Sequence, residues 1–248
     1  MRTLFFLVLL LSLDVSVAFG ASSWMRSPFE KESDAPNASE QKASEQKAPQ
    51  KGKWDRFMVD KRDDEKYEIV IIGKKAWMAE NLRFRTRDSE CLDSDERKCK
   101  EGGRFYTWSD ALNTQPNCNK TECKLLGKPH IRGVCPEGWH IPSDSEWKDL
   151  VIYVRSKAGS KAARVLKSTY GWVIERGTNE SHFNVFPAGF RFQSGNFLDR
   201  GRTAKFWSST QLDAVSARSW VLKERTDSML PESDYKGNEL NVRCTADE

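Results

Sequence analysis

The stretch GVCPEGWHIPSDSEW, residues 133–147, carries more information about the fold than any other part of this chain. It combines a cysteine, two tryptophans and a histidine with the start of a helix. Ser143 is followed three residues later by Glu146, which is the pattern of a capping box, in which the two residues satisfy each other's backbone N–H groups. Pro142 stands just before the box and ends any earlier element. The stretch therefore predicts a helix that begins at residue 144.

The helix that follows is predicted to be amphipathic. Apolar residues recur at spacings that place them on one face of a helix, and they are Trp147, Leu150, Val151 and Val154. The pattern predicts one main helix over residues 144–157, packed against a core through this face. Gly159 separates it from a second helical stretch at residues 160–168.

Short segments rich in β-branched and aromatic residues lie on both sides of these helices. Before the helices they are residues 67–72, closed by Gly73, and a short strand within residues 102–113 that leads into one or two helical turns. After the helices they are residues 182–192, 204–209, 217–224 and 239–244. Strands, then helices, then strands predict an α+β fold with an antiparallel sheet.

The N-terminal part of the chain differs from the rest. Arg2, the apolar run at residues 4–13 and the small residues after it have the layout of a secretory signal peptide, which we predict over residues 1–20. Residues 21–53 contain a repeated SEQKA and few large apolar side chains, which predicts a disordered, charged linker. We expect one folded domain over residues 54–248, in a protein that is secreted or retained in the cell envelope.

Composition narrows the class of partner. The chain has 40 Lys and Arg against 36 Asp and Glu, a net charge of +4, and no basic stripe interleaved with aromatic residues, so nucleic acid is not a predicted partner. No segment has the run of about 20 apolar residues that a membrane-spanning helix needs. Six cysteines behind a signal peptide predict a disulfide framework, although composition alone leaves the pairing open.

Six short motifs, in order, resemble one known family. They are WMAENL, GRFYTWSDA, GVCPEGWHIPSDSEW, FPAGFR, FWSST and VRC, and the match runs from about Tyr67 to Cys244. Together they resemble the Fibrobacter succinogenes major paralogous domain, which occurs in secreted and surface proteins of bacteria. This chain departs from the family at residues 172–186, where a loop rich in glycine and aspartate is common. The segment GWHIPSDSEW is also similar to the helix start of formylglycine-generating-enzyme-like domains, which implies a C-type-lectin-like fold.

The resemblance also bears on the cysteine pairing. The family has a cysteine at the positions of Cys135 and Cys244, in the motifs CPEGWH and VRC, which fits their being partners. The other four cysteines form two close pairs in polar, turn-rich segments. We expect each close pair to form a short disulfide loop, Cys91 with Cys99 and Cys118 with Cys123.

Few residues are candidates for a functional site. His140 is interpreted as structural, with its ring hydrogen-bonded to backbone near the helix start, since a catalytic base would need a partner within reach. Residues 189–207 mix arginines with aromatic residues, which polysaccharide or peptide binding requires. The candidate ligand-binding residues are Arg191, Phe197, Arg202 and Trp207. The alternative is that these aromatic residues simply pack inward along strands.

Familiar catalytic signatures do not occur in this sequence. It contains no H-E-x-x-H, no G-x-S-x-G and no phosphate-binding G-x-x-x-x-G-K motif. We therefore predict no catalytic residue, no cofactor and no metal ligand. The acidic residues 93–97 lack the glycine and ligand pattern of an EF-hand calcium loop, and a solvated loop is predicted there.

These observations favour a secreted, non-enzymatic binding or adhesion module, with a polysaccharide or another cell-surface component as its partner. Two alternatives remain open at this level. One is a structural protein of the envelope or the extracellular space without a small ligand, and the other is an enzyme of unrecognised type.

The mature protein is expected to begin near Phe19 or Ala21 and to carry no lipid. The reason is that small residues follow the apolar run, whereas the first cysteine of the chain is Cys91. Mass spectrometry of the exported protein tests this expectation. An acyl group or an intact Met1 in the exported form would contradict it.

Overall fold

The computed structural model describes residues 56–124 and 130–247, so the predicted signal peptide (1–20) and linker (21–53) lie outside the described residues. The strands are β1 Phe57–Asp60, β2 Glu65–Ile72, β3 Lys75–Met78, β4 Glu90–Cys91, β5 Arg104–Tyr106, β6 Trp139–His140, β7 Phe190–Arg191, β8 Phe197–Leu198, β9 Thr203–Gln211, β10 Ser216–Lys223, β11 Leu230–Tyr235, β12 Leu240–Asn241 and β13 Thr245–Ala246. The α-helices are α1 Cys99–Gly102, α2 Trp108–Ala111, α3 Asp144–Ala158 and α4 Ala162–Leu166. Short 3-10 helices span Leu92–Ser94, Glu96–Lys98, Pro116–Asn119 and Gly159–Lys161.

The strands of the described part form two large sheets and one small hairpin. One sheet has the order β1-β2-β3-β13-β6, the other has the order β11-β10-β9-β12-β5-β4, and β7 pairs with β8. The strand pairs are antiparallel, except that β12 runs parallel to β9. Antiparallel sheets beside one long helix confirm the predicted α+β class.

The long helix α3 begins with the predicted capping box. The Oγ atom of Ser143 accepts a hydrogen bond from the backbone N–H of Glu146 at 3.3 Å, and Glu146 Oε2 accepts one from the backbone N–H of Ser143 at 2.8 Å. The predicted apolar face of the helix is buried. Its Trp147 ring lies 5.0 Å from the Trp77 ring and 5.4 Å from the Phe206 ring, between centroids. The dense stretch of sequence at residues 133–147 is thus a centre of the core.

Strand β9 separates two clusters of core residues. Successive side chains of a strand point to opposite faces, and here both faces are covered. Phe206 contributes to the cluster that contains Trp147, and Trp207 contributes to the cluster that contains Tyr106 and Trp108. Both side chains are completely buried.

The C-terminal segment passes from one large sheet to the other. Strand β12 lies in the sheet of β9, whereas β13, only a few residues later, pairs with β3 and β6 in the other sheet. Cys244 lies between these two strands and is bonded to Cys135. The other disulfides join Cys91 to Cys99 and Cys118 to Cys123, so all three pairs are those predicted.

Residues 182–192 do not form the predicted strand. The paired positions there are isolated bridges at Val185 and Gly189 and the two residues of β7. His182 and Asn184 have φ angles of 56° and 53°, which a strand does not permit. Pro187 follows within the segment and has no N–H to donate to a ladder. Backbone geometry therefore overrides the apolar composition of this segment.

Several strands were not predicted from the sequence, among them β1, β3, β4, β6, β11 and β13, and one predicted strand is shorter than expected. Strand β11 contains Pro231, which is tolerated because β11 is an edge strand of its sheet. Strand β1 precedes the first predicted strand. The predicted strand at residues 239–244 is reduced to the two residues of β12, because the chain then leaves that sheet for the other.

Replacing Cys135 with serine is expected to destabilise the domain far more than replacing Cys118 with serine. The Cys135–Cys244 bridge closes a sequence separation of 109 residues, against 5 for Cys118–Cys123. In the chain-entropy description the long loop contributes roughly 4–5 kcal/mol and the short one roughly 2–3 kcal/mol. Urea denaturation of the two variants measures the difference. Equal losses in the free energy of unfolding would show that the long bridge has no special role.

Candidate functional site

Two of the predicted ligand-binding residues, Arg191 and Phe197, lie together on the β7–β8 hairpin. The Arg191 guanidinium carbon is 5.8 Å from the centroid of the Phe197 ring. Arg191 also forms an ion pair with Glu239 and donates a hydrogen bond to the carbonyl of Gly195 at 3.2 Å. The Phe197 ring packs edge-on against Phe105, 5.4 Å between centroids. Both side chains are thus engaged within the protein.

The other two candidates do not join this pair. Trp207 is completely buried, and its indole N–H donates to the carbonyl of Tyr106 at 2.7 Å. Trp207 is therefore a core residue and has no face to offer a ligand, which corrects the sequence-based prediction. Arg202 is exposed, and one of its guanidinium nitrogens lies 3.7 Å from Glu224 Oε1.

His140 is buried and hydrogen-bonded, but its partners are not the expected backbone groups. Its Nε2 atom lies 2.9 Å from Glu146 Oε1 and its Nδ1 atom lies 2.6 Å from Asp247 Oδ1. Burial by itself would lower the pKa of His140, but the hydrogen bonds and charges of the two carboxylates raise it. Because both ring nitrogens face carboxylate oxygens, which accept hydrogen bonds, the surroundings of His140 favour the protonated ring.

The carboxylate of Glu146 contacts His140, Ser143 and Lys75. Its Oε2 atom accepts from the backbone N–H of Ser143, as described above, while its Oε1 atom also lies 3.2 Å from the ammonium of Lys75. Burial alone would raise the pKa of Glu146, but the hydrogen bonds from His140 and Ser143 outweigh this effect and lower the pKa to about 2. Glu146 is therefore ionised at neutral pH.

A cavity of about 530 Å³ lies beside α4, and we call it the basic cavity. Four of its lining residues are cationic: Lys161, Arg164, Lys167 and Arg176. Lys167 is almost completely buried, and its ammonium donates to the carbonyl of Glu224 at 2.6 Å and lies 4.8 Å from the Trp172 ring. Burial lowers the pKa of Lys167.

The other three cations of the basic cavity are exposed and unneutralised. Within the described part of the chain, no carboxylate lies within 4 Å of the charged groups of Lys161, Arg164 or Arg176. Glu175 and Asp227 line the same cavity, so two acids face four cations. An excess of positive charge around a concave surface favours an anionic ligand.

A second concave surface, which we call the apolar cleft, adjoins the basic cavity. It has a volume of about 650 Å³ and is lined by three residues of β2 and by the exposed side of α3. Tyr153 and Ile71 are its prominent apolar groups, with exposed fractions of 40% and 53%. Glu180 and His182 provide polar groups at its edge. Lys161 lines both the cleft and the basic cavity, so the two concave surfaces adjoin at this residue.

Sequence reasoning missed this surface, although two signals for it were present. Lys161, Arg164 and Lys167 recur at spacings of three, which places them along one side of a helical segment. Tyr153 is an aromatic residue outside the apolar stripe of α3 and is therefore exposed. Neither signal reveals the cavity walls, because Glu175 and Arg176 come from the loop after α4 and Asp227 comes from a segment that is distant in sequence.

The family can now be assigned. The model of the Fibrobacter succinogenes major domain matches residues 70–245, which include α3, α4 and both concave surfaces. The chain belongs to this family. No curated protein and no solved structure matches it.

The disulfides of this Fibrobacter succinogenes major domain bear on its location. Its three disulfides are consistent with an extracellular environment, since such bonds persist where conditions are oxidising. None of the helices in residues 56–124 and 130–247 is both long and apolar enough to cross a bilayer.

Glu239, the partner of Arg191, is an unusual carboxyl group of this Fibrobacter succinogenes major domain. It is buried, and its Oε2 atom has no hydrogen-bond partner among the described residues. Burial raises the pKa of Glu239 to about 7, against the opposing effect of the Arg191 guanidinium, and the Glu90 and Asp110 carboxylates raise it further. The group is thus protonated in the folded protein at pH values where it is ionised in the unfolded chain.

The free energy of unfolding is expected to contain a contribution from Glu239 that falls as pH rises from 4.5 to above 7. A carboxyl group whose pKa is higher in the folded state stabilises the fold below its unfolded pKa and loses this effect through its folded pKa. The loss amounts to roughly 3 kcal/mol. Glu239→Gln should remove it, and the exposed control Glu137→Gln should not. Denaturation curves between about pH 4 and pH 8 measure it, and parallel profiles for wild type and Glu239→Gln would contradict it.

Proposed function

We propose that this chain is an exported, non-enzymatic binding or adhesion module whose ligand is an anionic polysaccharide. The observation that carries the proposal is that the basic cavity and the apolar cleft adjoin at Lys161, which lines both. A polysaccharide with carboxylate or sulfate groups presents both the apolar faces of sugar rings and regularly spaced negative charge. The two parts of this surface match those two properties.

The basic cavity supplies the charge recognition. Arg164 and Arg176 are exposed at its edge without an acidic partner, so their guanidinium groups are free to donate paired hydrogen bonds to a carboxylate or sulfate group. Lys167 lies deeper and holds its position through the carbonyl of Glu224. Cations on a concave surface also raise the local concentration of an anionic polymer, an effect that salt weakens.

The apolar cleft supplies the contact with sugar rings. Tyr153 offers an exposed aromatic ring, and the ammonium of Lys157 lies 5.7 Å from the centroid of that ring. Aromatic faces combined with a few fixed polar groups are typical of ligand-binding surfaces. Glu180 and His182 at the edge of the cleft are available to hydroxyl groups.

The location and the fold belong to the same proposal. We propose that residues 1–20 are a signal peptide and that residues 21–53 are a linker that holds the domain away from its point of attachment; the disulfides support export. We further propose a C-type-lectin-like fold. Its support is the similarity of GWHIPSDSEW to formylglycine-generating-enzyme-like domains, together with one long helix beside antiparallel sheets.

The exported protein is expected to bind a uronic-acid polymer such as polygalacturonate, and to bind it more weakly as sodium chloride is added. The double variant Arg164→Ala, Arg176→Ala should lose about tenfold or more in affinity, since hydrogen bonds between charged groups contribute about 1.5–3 kcal/mol each. Arg87→Ala is the matched control, because the Arg87 side chain is 95% exposed and lies outside both concave surfaces. Affinity electrophoresis and titration calorimetry measure these differences.

Variants of Tyr153 distinguish the contribution of the apolar cleft to binding from that of the basic cavity. Tyr153→Ala should weaken binding while Tyr153→Phe, which keeps the ring, should bind nearly as well as the wild type. Wild-type protein that binds neither anionic nor neutral polysaccharides would favour a structural role without a ligand. Equal binding by the wild type and the double arginine variant would show that the basic cavity is not the binding site.

A further inference from the structure

Three side chains that could bind a metal ion lie close together near the start of α3. They are His130, His140 and Glu146, and their nearest ligand atoms all lie within 4.8 Å of one another. We infer that this cluster binds one divalent transition-metal ion, with zinc as the preferred ion. The site is separate from the basic cavity and the apolar cleft, since none of the three residues lines either of them.

The fold brings the two histidines together through a short antiparallel contact. Ile131 and Ile141 form a β-bridge, in which the Ile141 N–H donates to the Ile131 carbonyl at 3.0 Å. His130 and His140 are diagonal neighbours across this bridge and therefore share one face. Their ring centroids are 4.1 Å apart.

Glu146 completes the cluster from the first turn of α3. Its Oε2 atom is held by the capping box, so the carboxylate has a fixed orientation, and Oε1 is directed toward the histidines. Oε1 lies 2.9 Å from His140 Nε2 and 4.0 Å from His130 Nδ1. The helix cap thus positions the third ligand.

His130 contributes an observation that its structural role does not explain. Its Nδ1 atom is buried and has no hydrogen-bond partner within the described part of the chain. A buried polar atom without a partner is destabilising. An ion bound between Nδ1 and Glu146 Oε1 would satisfy this nitrogen. The remainder of the His130 side chain is 37% exposed, which leaves an approach for an ion from solvent.

The spacing fits a single ion after small side-chain rotations. Zinc binds imidazole nitrogen at about 2.0–2.1 Å and carboxylate oxygen at about 2.0–2.2 Å, so tetrahedral ligands lie about 3.4 Å apart. His140 Nε2 and Glu146 Oε1 are already closer together than that. His130 Nδ1 needs to move by only about one ångström. Two imidazoles and a carboxylate favour zinc or a neighbouring transition metal over calcium or magnesium, which prefer oxygen alone.

Asp247 has the role of a positioning residue in this site. It accepts a hydrogen bond from His140 Nδ1 at 2.6 Å, which directs Nε2 toward the proposed ion. A carboxylate behind a metal-bound histidine fixes the ring and makes its other nitrogen a stronger ligand. Asp247 reaches this place because β13 pairs with β6, which brings the C-terminal segment beside His140.

Binding of the metal ion requires the release of one proton. The ion replaces the proton between His140 Nε2 and Glu146 Oε1, and that proton passes to solvent as two ligand bonds form. The ammonium of Lys75, 3.2 Å from the same oxygen, competes with the ion and has to move away. Removing this ammonium should therefore tighten metal binding, which a purely structural cluster would not predict.

The experiment uses the full-length protein without an affinity tag, treated with chelator and then titrated with zinc chloride in a calorimeter. One equivalent of zinc should bind, and zinc should raise the Tm. His130→Ala should weaken binding about tenfold or more. His182→Ala is the matched control, because His182 lies outside the cluster, and it should bind zinc like the wild type. Cobalt substituted for zinc should give visible absorption that His130→Ala loses.

Two further variants test the geometry of the site. Asp247→Asn should weaken zinc binding about 10- to 100-fold, and Lys75→Met should strengthen it. Circular dichroism verifies that each variant is folded. The inference is overturned if the wild type binds no zinc at about 100 µM free ion, or if folded His130→Ala binds it as tightly as the wild type. Equal loss in His182→Ala would likewise assign binding to scattered surface histidines and overturn it.

Discussion

The fold depends on the burial of residues 240–246, which pass from one large sheet to the other. Arg243 is almost completely buried and donates hydrogen bonds to Asn81 Oδ1 at 3.1 and 2.9 Å and to the carbonyls of Phe183 and Asn184. Burial lowers the pKa of Arg243 to about 9. These hydrogen bonds join segments that are 59 to 162 residues apart. Next to Arg243, the Cys135–Cys244 bridge attaches the same segment to the start of α3.

Helix α3 connects this buried segment with both proposed sites. Its first turn supplies Glu146 to the histidine cluster, and its exposed side supplies Tyr153 to the apolar cleft. The 3-10 helix Gly159–Lys161 continues from its end and places Lys161 between the cleft and the basic cavity. The buried face with Trp147 fixes the rotation of the helix, so its exposed groups are presented in a single arrangement.

The two proposals use different chemistry and are independent of each other. Arg164 and Arg176 are exposed and lack acidic partners, which suits an anionic polymer that approaches from solvent. The histidine cluster is largely buried and contains carboxylate groups, which suits a small cation. Polymer binding and metal binding can therefore each be present or absent without the other, and the variants expected to weaken one leave the groups of the other unchanged.

Local sequence patterns were sufficient to predict α3 with its capping box and its buried face. They also predicted strands β9 and β10 and the family. These features depend on residues a few positions apart, where spacing and side-chain chemistry act directly.

Other features required partners that are remote in sequence. His140 is bound by Asp247, which lies 107 residues away, and Trp207 is buried because β9 is covered on both faces. The strand predicted at residues 182–192 fails because the backbone turns at His182 and Asn184. Only tertiary packing brings the walls of the basic cavity together, since they come from α4 and from two later segments whose proximity no local pattern encodes.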